Sequence, residues 1–114
     1  MGKLYYGADT RPIELDDRLL SHAMAVIATK LRRQESFTMT WAHESDDGRS
    51  TIWIQPSIPL RFVYDSAESA SLDRRVLKEL AAQANSSRGL TLSNDVFDDA
   101  QVSDLEPRKY GRAA

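Results

Sequence analysis

The 114-residue chain has two imidazoles, and one of them, His43, opens the run His43-Glu44-Ser45-Asp46-Asp47-Gly48. Carboxylates at 44, 46 and 47 beside a ring nitrogen have the donor chemistry of a loosely held Mg²⁺ or Ca²⁺. Their spacing matches no EF-hand loop, and an acidic hairpin tip is equally what turn formation and solubility favour. A small-molecule enzyme would take His43 with Glu44 or Asp47 as its proton-transfer pair. Beyond the bare presence of serine, histidine and acid, nothing points to a converging nucleophilic triad. His22, beside Ala23, reads as a surface or boundary residue. The chain has no cysteine, which removes thiolate metal sites, thiol nucleophiles and disulfides. Its five glycines are scattered at 2, 7, 48, 89 and 111, so no glycine-rich loop cradles a phosphate. No catalytic residue, metal or cofactor is assigned.

Two sets of residues suit binding. Lys30, Arg32 and Arg33 form a basic run that could meet phosphate or an acidic partner, although cations at a helix C-terminus also simply complement its dipole. Trp53, flanked by Thr38, Thr40 and Thr51, is the second set. Tryptophan exposed on a β-surface is enriched at interface hot spots, and the alternative is that Tyr5, the C-terminal tail or long neighbours cover it.

The elements that must position these residues follow from periodicity. Residues 3–7 and 12–15 read as a hairpin with Leu4, Tyr6, Ile13 and Leu15 inward. Asp16 or Asp17 caps a helix over 17–34, because Leu20, Met24, Ile27 and Leu31 recur at helical spacing. Residues 36–43 alternate strictly, as do 50–55, and a turn at Asp47-Gly48 would set His43 opposite Ser50, Trp41 opposite Ile52 and Met39 opposite Ile54. This register buries Phe37, Met39, Trp41, Ile52 and Ile54 and leaves Thr38, Thr40, Thr51, Trp53 and Gln55 on the other face. Pro56 and Pro59 break the chain before a strand over 60–64. Ser71 is the expected cap of a second helix carrying Leu72, Val76, Leu80 and Ala84 and ending near Gly89, and Leu90 to Leu92 allow a short last strand. The fold class is α+β, in the order ββαβββα with a possible final β. Its simplest packing is a single antiparallel sheet with two helices on one face.

The domain is expected to span 1–93, with an acidic, flexible tail over 94–114 whose Val96, Phe97, Val102 and Leu105 could dock onto a partner or onto the domain itself. The chain carries 15 basic and 17 acidic residues, and five acids and three bases fall in the tail, so the body is neutral. A neutral body lacks the basic excess of a non-specific nucleic-acid binder. No stretch approaches the roughly 20 apolar residues of a membrane span, nor is there a signal-peptide core. The expected location is cytoplasmic.

The segments MGKLYYG (1–7), KLRRQESF (30–37), GRSTIW (48–53) and PSIPLRF (56–62) resemble a family of short actinobacterial proteins without an established function, many of them automatically labelled "ATP-dependent DNA ligase". That label implies a Lys-x-Asp-Gly motif whose amine attacks ATP. The sole Asp-Gly is Asp47-Gly48, and Ser45 stands where the lysine would be, so no phosphoramide bond can form there.

The reading is therefore a non-catalytic binding or assembly module that uses Trp53, Thr40 and Thr51, with homo-oligomerisation through the sheet face as one form of it. A protein partner or self-association is expected, and no membrane. The alternatives are a nucleic-acid-associated accessory protein contacting phosphate through Lys30, Arg32 and Arg33, and a small-molecule enzyme at His43.

Overall fold

The computed structural model of the chain describes residues 1–98. Its elements are β1 (Gly2–Tyr6), β2 (Ile13–Leu15), α1 (Asp17–Arg32), β3 (Phe37–Ala42), β4 (Arg49–Ile54), β5 (Leu60–Val63), α2 (Arg74–Ala84) and β6 (Leu90–Leu92). A further helical turn occupies residues 95–98. The α+β class holds. The single antiparallel sheet does not: there are two three-stranded sheets, ordered β2-β1-β5 and β4-β3-β6. Two physical causes separate them. The break at Pro56 and Pro59 turns the chain away from β4, so β5 pairs antiparallel with β1 instead. The connection through α2 then returns the chain in the same direction as β3, which makes the β3–β6 pair parallel.

The β3–β4 hairpin follows a register shifted by two from the expected one: Phe37 faces Ile54, Met39 faces Ile52 and Trp41 faces Ser50. His43 N–H donates to Gly48 O and Gly48 N–H to the Asp46 carboxylate, which tightens the loop to residues 44–47. A slip of two keeps every side chain on its face, so the expected faces survive.

Asp16 caps α1 by accepting from Arg18 N–H, and Lys30 and Arg32 occupy its last turn. The buried stripe runs through Leu19, Leu20, Ala23, Val26 and Ile27, leaving Met24 exposed rather than inward. The helix closes through Gln34, which adopts a left-handed φ of 62° while Glu35 N–H reaches Lys30 O. The cap of α2 is Asp73 rather than Ser71, and Leu72 is exposed in the loop before it.

α1 packs on β1 and on α2, and α2 packs on β3 and β6. One apolar cluster joins both layers: Leu4 of the first sheet, Met39 and Ile54 of the second, Leu20 of α1 and Val76 and Leu80 of α2 are all fully buried. The first residues of the expected tail belong to this body. Val96 is buried, and Phe97 packs edge-on against the His22 ring. Val102 and Leu105 lie outside the described residues. No helix among the described residues is long and apolar enough to cross a membrane.

Candidate functional site

Neighbours across a sheet share a face, so the registers define the outer surface of the second sheet. Thr91, Thr40 and Thr51 lie in one row across β6, β3 and β4, with Thr38 and Trp53 in the next row and Ala42 and Arg49 beyond. Trp53 is 57% exposed. Thr40 and Thr51 share a hydrogen bond between their Oγ1 atoms at 2.7 Å. Among the described strand residues of this face, Arg49 is the one charged side chain. The edges of the sheet are partly closed: Thr91 N–H donates to Gln83 Oε1 at 3.0 Å, and Trp53 O accepts from the Tyr6 hydroxyl.

The three residues of the basic run do not share one exposed surface. Lys30 is 9% exposed, and its Nζ lies 2.7 Å from Asn85 Oδ1 and 2.9 Å from Glu35 Oε1. The ammonium thus ties α1 to the last turn of α2, and its hydrogen bond holds the Glu35 carboxyl below the usual carboxylate range. Arg32 and Arg33 remain exposed.

At the hairpin end, His43 and Ser50 still meet although the register shift no longer sets them directly opposite. His43 Nε2 lies 2.7 Å from Ser50 Oγ, and His43 Nδ1 lies 3.0 Å from Asp46 Oδ1. It is Asp46, rather than Glu44 or Asp47, that meets the imidazole. The same oxygen accepts Gly48 N–H at 2.6 Å, and these two bonds, the amide first, lower the Asp46 pKa. The signal was present in the sequence: His43 and Ser50 fall on one side of facing strands, and an Asp-x-Gly turn folds the aspartate back. No group of three metal-ligating side chains converges among the described residues. Ser45, where a ligase lysine would stand, is exposed in this loop.

A family model described as Domain of unknown function (DUF7882) matches residues 1–95. The chain belongs to this family. No curated protein and no solved structure matches it.

The DUF7882 domain also has a cleft of about 800 Å³ between the start of α1 and the loop after β5, lined by Asp16, Asp17, Ser21, Tyr64 and Glu68 among others. Asp17 in this lining accepts from Asp65 N–H at 3.0 Å and Ser66 N–H at 3.3 Å. The Tyr64 hydroxyl is buried and makes no hydrogen bond among the described residues. Burial raises its pKa, and the nearby Ser21 hydroxyl gives its proton to Asp17 O. The second imidazole is structural: His22, fully buried rather than at the surface, bonds Arg18 O through Nδ1 and accepts Asp73 N–H at Nε2.

Proposed function

We propose that the DUF7882 domain is a binding and assembly module whose contact surface is the outer face of the second sheet, and that the occupant is a second copy of the chain. Exposure of Trp53 in a threonine-rich face supports the reading, because a desolvated tryptophan is a strong interface anchor. The choice of occupant follows from charge. A face with threonines, Trp53 and a lone Arg49 does not attract a strongly acidic or basic partner, whereas a copy presents the same neutral surface with hydroxyls able to pair. Three short strands offer less than the roughly 800 Å² per partner of a standard interface, so association is expected in the micromolar range or weaker.

Light scattering and sedimentation over a wide concentration range test this. The wild-type chain is expected to dimerise with rising concentration, and Trp53→Ala to stay monomeric while its unfolding midpoint shifts by no more than about 0.5 kcal/mol equivalent, as for other surface changes. A wild-type chain that stays monomeric throughout, or a Trp53→Ala variant that associates equally well, would remove the reading. Contact with nucleic acid is the weaker alternative, because Lys30 is already engaged with Asn85 and Glu35.

A further inference from the structure

The hairpin end of the second sheet carries chemistry that an assembly face does not use. Ser50 Oγ, His43 and Asp46 are linked in series at 2.7 Å and 3.0 Å, the connectivity of a hydroxyl nucleophile, its base and the carboxylate that orients the base. Asp46 is itself anchored by Gly48 N–H. As an acceptor it selects the tautomer with hydrogen on Nδ1, which leaves Nε2 free to accept the Ser50 proton.

The backbone supplies a further element. In an antiparallel pair, residues turn their N–H and C=O alternately toward and away from the partner strand. Because His43 N–H bonds Gly48 O, positions 48, 50 and 52 face β3, and Arg49 and Thr51 turn outward. Beyond β4 no further strand pairs among the described residues. Thr51 N–H is therefore an open donor one residue after the serine, the place from which a following amide stabilises an oxyanion. Trp41, directly opposite Ser50 on the same side of the sheet, and Ile52 are half-buried and give an apolar wall beside the hydroxyl.

We propose that His43, Asp46 and Ser50 form an acyl-transfer site for small carboxylic esters. Ser50 Oγ attacks the carbonyl carbon while its proton passes to His43 Nε2, and the developing oxyanion is met by Thr51 N–H. The bond to the leaving oxygen then breaks, and the imidazolium returns the proton to the departing alcohol. Water hydrolyses the Ser50 ester by the same proton route, so ester and water give acid and alcohol and the serine is regenerated. The site is open: the side chains of His43 and Asp46 are 32% and 62% exposed. Water weakens such electrostatics, so slow turnover and a well-defined covalent adduct are expected rather than fast hydrolysis.

The test uses the full chain with a fluorophosphonate probe, which traps an activated serine, followed by intact mass and peptide mapping. One adduct on Ser50 is expected. Ser50→Ala should abolish it, and His43→Gln and Asp46→Asn should each slow it by about 10² or more. The labelling rate per chain should be the same at low and at high protein concentration, which keeps the outcome separate from that of the assembly face. A wild-type chain that remains unlabelled, an adduct elsewhere, or equal labelling of Ser50 in folded His43→Gln would overturn the proposal. The wild-type map decides even where a variant fails to fold.

Discussion

His22 joins the first turns of α1 to the cap of α2, donating from Nδ1 to Arg18 O at 2.7 Å and accepting Asp73 N–H at 2.8 Å. His22→Leu preserves apolar volume but leaves that amide buried without a partner. The expected cost is about 1–3 kcal/mol, the usual penalty for an orphaned buried donor, read from urea unfolding. An unchanged midpoint would mean that the Asp73 amide reaches water. The sequence hides this role, since Asp73 lies 51 residues away and Ala23 beside His22 says nothing of it. Lys30 is a parallel case. Its place in a basic helix end reads as solvated charge, whereas Asn85, 55 residues on, and Glu35 together hold the ammonium inward. Trp53 was legible because strand alternation alone assigns it to the face opposite Met39 and Ile54.

Elements with a strong period were readable to within a few residues. α1, β3 and β4 are of this kind, because their burial repeats at 3.6 or 2 over several turns or pairs. What failed were short-range choices settled by tertiary contact. Ser71 and Asp73 are both good caps, and the side chain that meets the first amides of α2 is Asp73, which also hands its own amide to His22. The expected end of α2 near Gly89 is not where the helix stops, since it closes at Ala84 with Asn85 as its cap, and Gly89 serves the next turn instead: its φ is 80°, and a Cβ there would clash with Thr38 Oγ1 and stand 2.7 Å from Thr38 O. The turn into β6 thus needs a residue without a side chain so that β6 can reach β3. Gly89→Ala is expected to destabilise by about 2 kcal/mol or more, from backbone strain and the clash together. Thermal unfolding measures it, and a loss below about 0.5 kcal/mol would show that the β3–β6 pair shifts freely.

At the scale of the whole molecule, the division into two sheets was the least legible feature. Pairing of β5 with β1 and of β6 with β3 closes contacts over long stretches of chain, and side-chain alternation fixes a strand's faces without naming its neighbour. Pro56 and Pro59 gave the break but not its direction. The two sheets nevertheless share one buried cluster, with Leu4 on one side and Met39 and Ile54 on the other meeting Leu20 and Val76. Unfolding should therefore be a single transition. Trp41 and Trp53 both lie in the second sheet, so tryptophan fluorescence reports that sheet, while far-UV circular dichroism is dominated by the helices. Coincident denaturation curves are expected, and separated curves would show two independently stable halves. The Tyr6 hydroxyl on Trp53 O joins β1 to the edge of β4 directly and separates two explanations of that cooperativity. If the shared core couples the sheets, Tyr6→Phe lowers stability by only about 0.5–1.5 kcal/mol, the net worth of one hydrogen bond, and the two curves stay superimposed. If the curves part in Tyr6→Phe, the coupling resides in that bond at the sheet edge, and the apolar cluster alone does not make the two sheets one cooperative unit.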